Sequence, residues 1–141
     1  MAGTVTETGR ASNVFNEIIV TLACTSDASA GTIPDTNLTG LEKYELKEVV
    51  NINPASAQPS TAYLIAIEDA DGLRMFTSPT SRSVTASAAE STGGHETLGW
   101  YPRVDGTITV KFRTAADDGA ADVGNSKTLT VRLRFERKRG N

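Results

Sequence analysis

The sequence holds one cysteine and one histidine in 141 residues. A single thiol, Cys24, cannot close an intramolecular disulfide, so stability must come from burial rather than cross-links. Zinc needs three or four Cys, His or carboxylate ligands at recognisable spacing, and Cys24 with His95 cannot supply them. Aromatic residues are scarce, at 6%, which leaves aliphatic side chains to build the core. No apolar run reaches the length of a membrane-spanning helix, so no membrane partner is expected. The opening residues Met1 to Arg10 are polar and lack the apolar segment of a secretory signal, so synthesis in a cytoplasm without export is the expectation. Without that signal, the glycosylation-like tripeptide Asn37-Leu38-Thr39 carries no weight. A formal charge of -3 gives no general attraction to nucleic acid or anionic lipid, although basic residues gather near the C-terminus.

What is present is alternation. Leu129, Val131, Leu133 and Phe135 alternate with Thr130, Arg132, Arg134 and Glu136, which predicts a strand with one wet face. Ile108, Val110 and Phe112 alternate with Thr109, Lys111 and Arg113 after an Asp105-Gly106 turn signal, a second strand of the same kind. Between them, Ala115 to Lys127 is rich in Asp, Gly and Asn, too long for a tight hairpin, and predicts a mobile surface loop.

Further upstream, Ile18 to Cys24 is apolar at both parities and predicts a strand covered in part on both faces, with Cys24 as a small core residue. Ala62 to Glu68 predicts a well-buried central strand. Asp69 to Gly72 then turns the chain so that Leu73 to Thr77 returns as a hairpin arm, and the order so far reads as a meander. Lys43 to Ile52 carries two periods: Tyr44, Leu46, Val50 and Ile52 share a strand parity, while Leu38, Leu41, Val49 and Ile52 would suit a helix face. A strand with a bulge near Val49 is the favoured reading.

Pro54 and Pro59 bracket a linker, Pro79 closes a hairpin, Ser81 to Gly94 reads as a loop with a weak edge strand, and Leu98 to Val104 resumes order. Six to eight short strands without a convincing helix predict an all-β domain, an antiparallel sandwich or partly open barrel. The organisation expected is a flexible N-terminal arm over 1–13, a sandwich domain over 14–136 and a basic tail over 137–141. Lys111 and Arg113 are expected to blunt an exposed edge.

No catalytic constellation emerges. His95 lies in Gly93-Gly94-His95-Glu96, and pairing it with Ser91 and Asp105 finds no nucleophile elbow, so the chain reads as a non-enzyme without a cofactor. Glu68, Asp69 and Asp71 around one turn, and Asp117, Asp118 and Asp122 around another, could suggest calcium, but neither fits an EF-hand spacing and turn formation explains both, so no metal is assigned. The candidate protein-interface residues are Trp100, Tyr101, Arg103, Arg132, Arg134 and Arg137. Trp100 and Tyr101 suit a core or subunit contact, or a receptor or glycan-binding module if exposed. Arg132 and Arg134 share a strand face without an interleaved aromatic platform, which favours an acidic protein neighbour over sequence-specific nucleic acid.

Three stretches, IIVTLACTSDASAGTIPDT, AYLIAIEDADG and TITVKFRTAADDGAADVGNSKTLTVRLRF, resemble small structural proteins of tailed bacteriophages over about Glu17 to Phe135. The resemblance implies a virion component assembled in the host cytoplasm, either a capsid decoration protein or a neck or tail protein. Its partners would be the major capsid protein or other virion proteins and further copies of itself. The basic residues Arg137 to Arg139 and the longer central loop depart from that pattern.

Overall fold

The computed structural model describes residues 1–12, 16–54, 56–77, 95–97 and 103–137. Among these residues the chain is all β, with nine strands: β1 (Thr4–Ser12), β2 (Glu17–Thr25), β3 (Thr36–Leu38), β4 (Tyr44–Ile52), β5 (Tyr63–Glu68), β6 (Arg74–Thr77), β7 (His95–Thr97), β8 (Ile108–Thr114) and β9 (Thr128–Arg137). They form two antiparallel sheets, one ordered β1-β2-β9-β4-β7 and the other β3-β8-β5-β6. One continuous core of side chains from both sheets lies between them, so the architecture is a sandwich.

The strongest alternation in the sequence becomes the centre of the larger sheet. β9 lies between β2 and β4, and its register sets buried residues opposite buried residues: Ile18 with Phe135, Val20 with Leu133, Leu22 with Val131, and Cys24 with Leu129. On the other side, Leu46 meets Phe135 and Val49 meets Leu133. A slip of one residue would turn the whole row to solvent, so burial alone specifies this register.

β5 is interior to the smaller sheet, between β8 and β6. Tyr63, Ile65 and Ile67 face the core, while Leu64 and Ala66 on its other face are also buried, directly opposite Arg113 and Lys111. Long basic side chains with aliphatic stems thus stand beside small apolar ones on that outer surface.

A polar tie crosses the core. The Tyr63 hydroxyl, on β5, lies 2.9 Å from Oδ1 of Asn51 and 3.2 Å from Oδ1 of Asn53, all three residues being buried. Asn51 belongs to β4, so the contact joins the two sheets. A phenol carries one proton, which goes to the nearer amide oxygen, that of Asn51; turning the Asn53 amide would let its buried, unpartnered Nδ2 donate to the same phenol oxygen. Tyr63→Phe is expected to cost about 1 to 3 kcal/mol, because it leaves buried amide groups without their partner while changing little volume. Urea unfolding with an unchanged m-value checks it, and adding Asn51→Leu should recover part of the loss.

Several expectations are corrected. The arm placed over 1–13 is in its described part a strand: β1 pairs with β2 from Thr4 opposite Thr25 to Ser12 opposite Ile18. Backbone pairing needs no apolar pattern, which is why the sequence did not show it. Arg137, assigned to the tail, is the last residue of β9, and its N–H donates to the Asn16 carbonyl over 2.8 Å. The bulge in β4 falls between Leu46 and Glu48, earlier than Val49, and the extra residue reverses parity. Val49 and Asn51 therefore point inward with Leu46, while Val50 and Ile52 point out.

The meander is confined to the hairpins β1–β2 and β5–β6, since β2 and β4 both pair with β9 across the chain. β8 pairs with β5 on one side, and on the other with β3 as far as Val110 and then with its own following loop at Ala120, so Lys111 and Arg113 do not guard a free edge. His95 begins the short strand β7, opposite Val50, rather than lying in a loop. Pro79, the Ser81 to Gly94 stretch, Leu98 to Pro102 and the tail beyond Arg137 lie outside the described residues.

The segment after β8 is the largest departure. Ala121 and Val123 are buried in the core, and the chain around them is tied to two other segments. Val123 N–H donates to the Gly31 carbonyl (2.9 Å), Ser60 N–H to the Val123 carbonyl (2.9 Å) and Ser26 N–H to the Lys127 carbonyl (2.8 Å). Ser26, itself buried, accepts from Lys127 N–H (2.8 Å), and Thr61 donates from its hydroxyl to the Asp122 carbonyl. Two alternating apolar residues among Asp, Gly and Asn are too weak a signal to separate this anchored loop from a free one.

Candidate functional site

The basic residues singled out from sequence occupy different surroundings. On the outer face of the larger sheet, Arg134 stands opposite Ile19 of β2 and Glu48 of β4. Its guanidinium lies 3.1 Å from Glu17, 3.4 Å from Glu136 and 3.8 Å from Glu48. Three carboxylates around one guanidinium neutralise it within the chain. Pairs this exposed contribute about 0 to 1 kcal/mol each, so their main effect is to fix where the charge points.

Arg132, two residues earlier on the same face, is exposed and makes no ion pair with another described residue. Its direct neighbours across the strands are Thr21 and Val50, and the next positions along those strands include Ile19, Ala23 and Ile52. One exposed cation thus sits within a partly covered aliphatic surface bordered by the acidic group around Arg134. Arg137 has the parity of Phe135 and leaves the sheet on its core side, at the end, opposite Tyr44. Arg103 forms a bridge with Glu45, while the adjacent Val104 exchanges backbone hydrogen bonds with Lys43 and Tyr44, so Arg103 and Arg137 flank the start of β4. Trp100 and Tyr101 lie outside the described residues.

Sequence reading missed the acidic half of this surface. Glu17, Glu48 and Glu136 come together only through the pairing of β2, β9 and β4, and Lys47 at the bulge lies 3.2 Å from Glu45. The parity of Glu17 with Ile19 hinted at a shared face, but which strand lay beside it was not legible.

The outer face of the smaller sheet carries a ladder of charges. Lys111 lies 2.9 Å from Glu68, Arg74 lies 3.6 Å from Glu68 and 3.1 Å from Asp117, and Arg113 lies 3.4 Å from Asp117. The last contact is close enough for charge attraction but off-line for a hydrogen bond, which leaves the buried Arg113 Nε–H unpartnered. Arg74 beside Asp117, with Arg113 next, holds that carboxyl below its ordinary range.

The two acidic turns behave as turns. Asp69 accepts from the N–H groups of Asp71 and Leu73 (2.9 Å each), and Asp122 accepts from Gly124 N–H (3.0 Å). Asp27 caps its own loop in the same way: donation from Ala30 N–H and then Ser29 N–H keeps its carboxyl below the usual range. Among the described residues no three His, Cys, Asp or Glu side chains are grouped to hold a metal ion. Cys24 is buried, and desolvation pushes its thiol up to about 12.

An open groove at the end of the sandwich holding the anchored loop is lined by Ser60, Thr61, Thr114, Asp122, Asn125 and neighbouring small residues. Its lining is hydroxyl, amide and backbone, with Asp122 as the ionisable side chain, already engaged by Gly124.

The chain is thus an antiparallel β-sandwich whose most distinctive outer surface is the β2-β9-β4 face. No protein-family model, curated protein or solved structure matches it.

Proposed function

We propose that the chain is a non-enzymatic structural component of a tailed-bacteriophage virion, acting as a capsid decoration or cement protein that stabilises the head through protein–protein contacts. The observation that carries this reading is the outer face of the larger sheet. There an exposed arginine without an ion-pair partner among the described residues, Arg132, stands among Ile19, Ala23, Val50 and Ile52, with the acidic cluster around Arg134 at its border. A lone cation over partly covered aliphatic surface suits a contact in which a partner's carboxylate is desolvated against it. The three stretches that resemble phage structural proteins support the same reading: they contain β5 and β8 whole, β2 from Ile18 onward and β9 up to Phe135. Further copies of the chain and the major capsid protein are the partners proposed.

Arg132→Glu tests it. The substitution is expected to weaken self-assembly or binding to preformed capsid shells by about tenfold or more at low ionic strength, and by less at high salt, where the pairing is screened. Arg132 is the clean position, because removing Arg134 would release three carboxylates at once. Sedimentation of the chain with and without shells reads the effect. A wild-type protein that stays monomeric and ignores shells would overturn the proposal.

A further inference from the structure

β1 is joined to the rest of the fold almost entirely by its backbone. Of its nine residues, eight are exposed and only Val5 is partly buried against the core. Eight register pairs tie it to β2, from Thr4 opposite Thr25 to Ser12 opposite Ile18. Outside that ladder, Arg10 donates to the Thr39 carbonyl over 2.6 Å, and the Met1 carbonyl accepts from Ala28 N–H over 3.0 Å. Among the described residues the strand's one ion pair is internal, Arg10 with Glu7 at 2.8 Å, and β1 takes that pair with it wherever it goes.

The strand beneath has a second partner, β9, along its whole length on the other side. Ile18, Val20, Leu22 and Cys24 are packed against β9 and the opposite sheet, and none is more than 9% exposed. Were β1 to leave, β2 would remain in place with a free edge nine residues long, and such an edge is a template for another strand. The outer edge of β1 is a poorer template, because the register shift between Glu7 and Gly9 breaks its run and the Glu7–Arg10 pair charges it. Backbone pairing between copies is therefore directed to the edge of β2.

We infer that β1 is an exchangeable strand: in the assembled state it leaves its own β2 and completes the same edge in a second copy of this chain. Exchange remakes the same hydrogen bonds and the same Val5 contact, so the balance is set by local concentration rather than by new contacts. An assembly of many copies supplies that concentration, so strand exchange rests on the self-assembling role proposed for the chain.

The chain's single cysteine provides the test. Val5 stands directly opposite Cys24 on the core side of the ladder, so Val5→Cys places two thiols across the β1–β2 pair. The full-length variant is oxidised once dilute and once assembled at high concentration, then run on a non-reducing gel, with light scattering recording assembly independently. The expected result is an intrachain link when dilute, and mostly interchain links, reversed by dithiothreitol, when assembled. Assembly with intrachain links alone would overturn the exchange and leave the self-assembling role standing. No assembly at all would overturn both.

Because burial keeps the Cys24 thiol protonated, a second pair on the exposed side, Thr6→Cys with Ala23→Cys in a Cys24→Ala background, is read in parallel. Assembly without a link at either pair would also overturn the exchange.

Discussion

Replacing Phe135 by alanine is expected to lower the unfolding free energy by about 3 to 5 kcal/mol, the range for emptying an aromatic site in a closed core. The ring is fully buried on β9, the strand shared by β2 and β4, and its cross-strand neighbours are Ile18 on one side and Leu46 on the other. Both neighbours are held by their own strands, so they cannot close over the cavity. Guanidinium unfolding followed by fluorescence or circular dichroism measures the loss. A change below about 1 kcal/mol would mean that the ring is not enclosed, because surface substitutions usually stay within about 0.5 kcal/mol.

Gly31→Val is expected to cost about 2 to 4 kcal/mol, although the residue lies in a loop. Its φ is 72°, a left-handed conformation that a β-branched side chain resists, and an added Cβ would run into the Asp122 carboxylate. The Gly31 carbonyl also accepts Val123 N–H, so a shift of the loop would strip a partner from a residue buried in the core. Adding Asp122→Ala should restore part of the loss by removing the collision, while the backbone penalty persists. Thermal and urea unfolding of the single and double variants separate the two contributions. An unperturbed Gly31→Val would show that the two loops are not interlocked.

These two sites differ in how far they could be read beforehand. Phe135 belongs to a row with period two in a stretch free of glycine and proline, and such a row has only one way to hide its apolar side. The same logic made β2, β5 and β8 legible, and the acidic turn before β6. Gly31 offered no comparable signal, since a glycine among Ser, Ala and Thr reads as a generic turn; its importance comes from Asp122, which lies far away in sequence. β1 escaped notice for a related reason. A strand held by its backbone at the edge of a sheet buries almost nothing, so its sequence is under no pressure to alternate.

The basic surface was legible only as a set of residues without surroundings. Arg132 and Arg134 were placed on one face by their spacing, and they share it. What spacing could not give is that Arg134 is enclosed by Glu17, Glu48 and Glu136 whereas Arg132 is not, or that Arg137 leaves on the other side. The bulge at Lys47 shows how little is needed to defeat parity: one inserted residue sent Val50 and Ile52 outward and put Asn51 into the core, where it meets Tyr63.

By itself, then, the sequence determined that this chain is an all-β domain with an aliphatic interior, because alternation of apolar and polar residues is a local property that any strand must satisfy to bury one face. Only the tertiary structure decided which strands are neighbours, which loop is anchored, which arginine is ringed by carboxylates, and that the N-terminal segment is a strand. Those outcomes depend on pairings between residues distant along the chain, and backbone hydrogen bonds, which make most of them, are the same for every side chain.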